Sequence, residues 1–217
     1  MRGTPSMKKA EKIPIQEFIK QLQGSNDPYY PDPSTEQYYD DFSNRTIWMI
    51  DEIDGDTLDI ISKIVRWNRE DKDIPVEQRK PIKIFFFCPG GSLDVEESIV
   101  STIKLSKTPV WGIAIGVVAS AATLIYLSCH QRYALPNAYL IIHQGSAQLG
   151  GNYAEVVAAM RDYEETVERM TKFYVENTNY TEDEIRANIK TDWYVRGDEL
   201  LDRNLITGWI EDIDVML

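Results

Sequence analysis

At 217 residues, 43% of them hydrophobic, the chain is long enough for one medium domain or two small ones around a sizeable core. A formal net charge of -12 argues against nonspecific nucleic-acid binding, which needs clustered Lys and Arg against the phosphate backbone. The leading stretch MRGTPSMKKAEKIPIQEF carries basic residues but no apolar core of a signal peptide, so an intracellular, cytoplasmic protein is predicted.

Residues 1–44 form an unusual lead-in. A short amphipathic piece at 13–22 is followed by DPYYPDPSTEQYYDDF, which reads either as an ordered arm that contacts a partner or as a disordered tail. From residue 45 onward the pattern alternates. Strand candidates fall at 45–50, 82–87, 110–115 and 138–143, with helical periodicity between them, which predicts an α/β fold. The first helix is expected from about 56 to 67, with Leu58, Ile61, Ile64 and Val65 on one face. The second follows Gly90-Gly91, capped by Ser92, with Asp94, Glu96 and Glu97 in the first turn where the helix dipole favours negative charge.

The uncharged run PVWGIAIGVVASAATLIYLSC, residues 109–129, has the length of a membrane-spanning helix of about 20 residues. Gly112, Gly116 and the β-branched residues between them predict something else: a buried strand at 110–115, a tight bend at 116–119 and a buried helix from Ser120. Further on, 152 to about 177 reads as a long helix whose stripe of Tyr153, Val156, Val157, Met160, Val167, Met170 and Tyr174 serves either a partner subunit or the core. Thr181 and Glu184 form a capping box, Asn204 ends a short helix, and a last strand is expected at 205–210.

Chemistry concentrates at four places. Ser120 places a hydroxyl at the first turn of a helix that follows a strand. Pro89-Gly90-Gly91-Ser92 lets the backbone approach a ligand and offer N–H groups to a developing oxyanion. His143 closes an apolar strand, a position more often held by a hydrogen-bonded core residue, whereas His130 lies in a polar turn and looks solvent-facing. Asp192 sits among aromatic neighbours that could set it beside an imidazole. Cys88 and Cys129 read as buried free thiols in a reducing compartment, and the two histidines and two cysteines lack zinc-site spacing, so no metal or other cofactor is predicted.

In this order the residues resemble the proteolytic subunits of the Clp protease family. Pro89-Gly90-Gly91-Ser92 resembles the family's Ser-Pro-Gly-Gly turn, and Gly116-Val117-Val118-Ala119-Ser120 resembles its nucleophile motif. Arg132-Tyr133-Ala134-Leu135-Pro136-Asn137, followed by Ile142-His143-Gln144, resembles the pair that delivers the base. The resemblance covers roughly residues 45–212. It implies a Clp/crotonase-like fold of repeated β-β-α units with a projecting handle helix at about 144–178, and a catalytic domain at 45–217 behind a divergent arm at 1–44.

The resemblance also implies roles. Ser120 would be the nucleophile, His143 the base and Asp192 its orienting acid, with the backbone N–H groups of Gly91 and Ala121 as oxyanion hole. Gly91, Ser92, Leu93 and Gly145 would pair with an extended substrate strand. The implied assembly is two stacked seven-membered rings enclosing the sites, fed with unfolded polypeptide by an AAA+ Clp unfoldase; neither nucleic acid nor membrane is an expected partner. Two departures stand out: Trp193 where a charged residue often follows the aspartate, and the long, tyrosine-rich arm. Two other readings share the fold, a crotonase-like acyl-CoA enzyme and a noncatalytic or unfoldase-independent Clp-like subunit.

Overall fold

The computed structural model describes residues 32–146 and 150–216. The amphipathic piece expected at 13–22 lies outside the described residues. Contacts divide the chain at residue 44. On the N-terminal side, Asp32 caps helix α1, Pro33–Ser43, by accepting the Ser34 N–H at 2.8 Å, and Pro33 fits the first helical position because its missing N–H has no intrahelical partner. None of its residues is buried. This part of the lead-in is therefore a helix rather than a disordered tail.

The second unit is built on a mostly parallel sheet. Its strands are β1 (Thr46–Met49), β2 (Ile82–Cys88), β3 (Val110–Ala119), β4 (Gln131–Ala134), β5 (Tyr139–Ile142), β6 (Trp193–Arg196) and β7 (Gly208–Trp209). The path runs β1-β2-β3-β4-β7, and β5 pairs with both β3 and β6. The first half of β3 (Trp111 to Ala114) pairs with β4, whereas its last residues (Val117 to Ala119) pair with β5. Among the described residues, β5 and β6 form the one antiparallel strand pair. Consequently the carboxyl ends of β2, β3 and β5 lie side by side at one edge of the sheet, where ligand sites form in open α/β sheets.

The helices are α2 (Asp59–Glu70), α3 (Leu93–Leu105), α4 (Ala121–Ser128), α5 (Tyr153–Asn177), α6 (Glu182–Asn188) and α7 (Glu199–Asp202). Several caps lie where the sequence puts them: Ser92 accepts the Val95 N–H of α3, and Thr181 with Glu184 forms the box of α6. Asn204, at φ 56°, follows the end of α7 in the left-handed conformation. The apolar run 109–129 is strand, elbow and helix, and among the described residues no helix is long and apolar enough to cross a membrane.

Three expectations need correction. The first helix begins as a 3-10 turn, Gly55–Leu58, capped by a box between Asp54 and Thr57, so the following α2 buries Ile60, Ile64 and Trp67 while Leu58 and Val65 are exposed. The tight bend expected at 116–119 does not exist, because β3 continues to Ala119 and the Phe87 ring occupies the space a Gly116 side chain would need. Glu96 is not a solvated first-turn carboxylate. It is buried, and desolvation pushes its pKa up to about 8.

Helix α5 divides along its length. Its first three turns bury nothing and leave Tyr153 and Met160 exposed, while Thr166, Met170, Thr171 and Tyr174 are buried in the second half. An ion pair between Arg169 and Glu97 at 2.9 Å, and the Lys104 ammonium 4.6 Å above the Phe173 ring, hold that second half against α3.

Candidate active site

Ser120 occupies the single residue between β3 and α4. Because α4 is buried at every position, the chain must turn sharply from one buried element into another, and Ser120 does so at φ 56° and ψ -130°. That conformation is strained for any residue with a Cβ and persists only where the surroundings over-determine it. They do so here: the Ser120 N–H donates to the Ile141 carbonyl at 2.9 Å, and the Ser120 carbonyl accepts the Thr123 N–H at 2.9 Å. The hydroxyl is left over. Among the described residues Ser120 Oγ makes no hydrogen bond, and the residue is part exposed.

The glycine turn closes in from β2. Gly90 has φ 100°, and a Cβ built on it would lie 2.6 Å from Ser120 Cβ and 2.7 Å from the Ala119 carbonyl oxygen, so only glycine lets the turn reach the elbow. Next to it, Gly91 bridges Ile53. The Ile53 N–H donates to Gly90 O at 2.8 Å and the Ser92 N–H donates to Ile53 O at 2.8 Å, a pattern that does not use the Gly91 N–H. Ala121 opens α4, where a first-turn N–H has no intrahelical acceptor. Buried Cys88 supports the turn from below, its thiol donating to Asp51 O at 3.0 Å and accepting the Gly90 N–H at 3.5 Å. Burial raises the Cys88 pKa and pushes Cys129 up to about 12, so neither thiol is a reactive thiolate at neutral pH.

His143 follows β5, two residues beyond the carbonyl that anchors Ser120. Its Nδ1 lies 3.2 Å from Asp192 Oδ1, and Asp192 immediately precedes β6, whose Trp193 pairs with Ile142. A carboxylate on Nδ1 favours the tautomer that leaves the Nε2 lone pair unoccupied. Nε2 is buried and has no hydrogen-bond partner among the described residues. Ser120, Gly91, Ala121, His143 and Asp192 therefore gather at one end of the sheet, with the pair His143–Asp192 in contact and Ser120 Oγ not hydrogen-bonded to it.

The residues expected to pair with an extended chain fare unequally. The Ser92 N–H donates to the Ile53 carbonyl at 2.8 Å and its own carbonyl accepts the Glu96 N–H at 3.1 Å, so both of its main-chain groups have partners within the chain. Leu93 begins α3, which turns its carbonyl into the helix. Gly91 and Gly145 keep extended or left-handed backbone at the site, and the Gly145 carbonyl accepts Tyr163 OH of α5 at 3.2 Å. His130 is exposed as expected, yet its Nδ1 accepts the Val110 N–H at 3.0 Å, a fixed structural role. Among the described residues no cluster of His, Cys, Asp and Glu could hold a metal ion.

Sequence reasoning passed over two contributors. Gly90, read from the sequence as backbone that can approach a ligand, instead packs against the elbow itself, where a Cβ would meet Ser120 Cβ at 2.6 Å; the adjacent glycines were the available signal. Strand β6 was overlooked, although Trp193, Tyr194 and Val195 are all residue types favoured in strands.

Comparison with known proteins agrees with this architecture. The family model described as Clp protease matches residues 33–212. ATP-dependent Clp protease proteolytic subunit 2 of Treponema pallidum is 29% identical over 134 residues, 61% of this chain and 67% of that protein. Proteolytic subunit 3 of Rhizobium meliloti is 31% identical over 134 residues, 61% of this chain and 69% of its own. The alignments thus span about two thirds of those relatives' length. A solved structure of a ClpP1 mutant from Listeria monocytogenes superposes with a TM-score of 0.71 at 23% identity, covering 83% of this chain and 99% of that one, which establishes the shared fold.

Proposed function

The chain belongs to the Clp protease family, and from that premise we propose that it is a serine endopeptidase that cleaves unfolded polypeptides, with Ser120 as nucleophile, His143 as base and Asp192 as orienting acid. Ser120 Oγ attacks the scissile carbonyl carbon while His143 Nε2 takes its proton. The imidazolium formed is stabilised by Asp192, and the Gly91 and Ala121 N–H groups receive the carbonyl oxygen as it becomes an oxyanion. Collapse of the intermediate expels the amine, which takes the proton from Nε2. Water then repeats the sequence on the acyl-enzyme.

The observation that carries this reading is the buried, unpartnered Nε2 of a histidine whose other nitrogen faces a carboxylate, beside a strained serine. Substrate binding is the event expected to bring Oγ and Nε2 into contact, since apo sites are commonly loose before it. Turnover of a short fluorogenic peptide by Ser120→Ala tests the assignment. A fall of about 10^6-fold is expected. Unchanged turnover would leave a noncatalytic subunit or a crotonase-like acyl-CoA enzyme.

The assembly follows from the same reading. The exposed first half of α5 supports its use as the handle between two stacked seven-membered rings, with 45–217 as the catalytic domain, residues 1–44 as a separate arm, an AAA+ Clp unfoldase as the feeding partner and a cytoplasmic location. Sedimentation of the intact protein against a variant carrying Tyr153→Glu and Met160→Glu checks it: the variant is expected to stop at the single ring.

A further inference from the structure

The Asp192 carboxylate is 56% exposed, and His143 is its single partner among the described residues. In a serine-protease triad the aspartate is ordinarily buried and held by further hydrogen bonds. Among the described residues nothing besides His143 holds the carboxylate, so its position depends on the backbone on either side. Before it, the Gln144 N–H donates to the Ile189 carbonyl at 2.7 Å, tying the end of α6 to the His143 segment. After it comes Trp193, paired with Ile142 and packed on Tyr180 with ring centroids 4.6 Å apart.

Tyr180 is in turn fixed from two other directions. It is buried, its hydroxyl donates to Glu199 Oε1 at 2.8 Å at the start of α7, and the Arg203 guanidinium lies 4.7 Å from its ring centroid. Arg203 donates to Glu184 Oε1 at 2.8 Å, and Glu184 also closes the capping box of α6. This tilted ring contact, at an interplanar angle of 56°, therefore ties the first residue of β6 to both helices that flank the Asp192 loop. All of these residues belong to one chain.

We propose that Trp193, packed at a tilt against Tyr180, is the positioning residue that holds Asp192 against His143, so that the alignment of the acid is set within the subunit by an aromatic contact. This rests on the Ser120–His143–Asp192 reading above, but its test does not need turnover. Trp193 touches no reacting atom. It acts through the one residue it adjoins.

The test is histidine titration by NMR on intact protein with selectively labelled histidine in the Ser120→Ala background. The chain has two histidines, so two signals are followed, and His130 serves as the internal control. Asp192→Asn gives the His143 midpoint with the carboxylate charge removed. Trp193→Ala is expected to move the midpoint most of the way to that value, Trp193→Phe to restore it, and His130 to stay in place. Tyr180→Leu removes the other ring and is expected to move His143 the same way if Trp193→Ala does not fold. A His143 midpoint unchanged in the folded variants, whatever their melting temperatures, overturns the proposal. In the Ser120-containing enzyme Trp193→Ala is expected to lower kcat about 10- to 100-fold with KM little changed, the signature of a displaced catalytic group. If Ser120→Ala retains full turnover the peptidase reading fails, yet the titration still decides whether Trp193 sets the His143–Asp192 contact.

Discussion

The two walls of the site are held in different ways. On the serine wall, β3 is paired on both sides, α4 is buried throughout, and the Gly90 turn is pressed against the elbow so closely that a single methyl group would collide with it. On the acid wall, Asp192 is half exposed, has His143 as its single side-chain partner among the described residues, and is steadied by a main-chain hydrogen bond and a tilted aromatic contact on either side. Strain at Ser120 can be maintained because its surroundings permit nothing else. Alignment at Asp192 has no such surplus, and the site can be tuned from that side without disturbing the core.

The largest consequence is expected on the acid wall. Asp192→Asn keeps the shape but removes the charge and the preference for the required imidazole tautomer. Peptide turnover is expected to fall about 10,000-fold with little change in melting temperature. A change below about tenfold would mean that the exposed carboxylate contributes nothing, and the contrast between the walls would collapse.

A smaller loss in turnover, with a change in stability as well, is expected from Gly90→Ala. The added methyl must displace Ser120 Cβ or the Ala119 carbonyl at a backbone angle that favours glycine, so turnover should drop about 100-fold and the melting temperature should fall in the same variant. Loss of activity without loss of stability would show that the serine wall is less tightly determined than the packing implies.

The smallest effect is a pH dependence. Glu96 is buried in the first turn of α3, and its folded pKa of about 8 stands above the usual 4.5 because burial disfavours the charged form. The sign follows directly: the fold prefers the protonated acid, so stability is full below about 4.5 and declines as pH rises through about 8. Glu96→Gln, neutral at every pH, is expected to flatten this decline and to melt higher than the parent at pH 9 but not at pH 5. Parallel melting curves across that range would place Glu96 in solvent.

Legibility from sequence followed the same division. The strands that became β1, β2, β3 and β5 were visible because buried parallel strands are written as continuous apolar runs, and Ser92, Thr181 and Asn204 announced helix ends through local hydrogen-bonding chemistry. Ser120 stood out as a hydroxyl in such a run. What could not be read depended on contacts between distant segments. Strand β4 is made by its pairing with β3 and β7 and is fixed by buried Arg132, which donates to the Leu205 and Asn204 carbonyls at 3.1 and 2.9 Å, more than seventy residues away, so it was not legible from the polar turn that the sequence suggests at 128–132. The apolar face expected for the first helix is not the one α2 buries, because the 3-10 turn at Gly55–Leu58 has a different period and shifts the phase. Among the aspartates, composition alone could not single out Asp192, since its distinction is a position opposite His143 that only the antiparallel β5–β6 pairing creates.

The central claim is that Ser120 is a nucleophile activated by His143. Treating the intact protein with a fluorophosphonate and mapping the adduct by peptide mass spectrometry tests it directly. The account predicts one adduct, on Ser120, formed at least about 100-fold more slowly in His143→Ala. An unmodified Ser120, or an adduct whose rate is the same without His143, would contradict it.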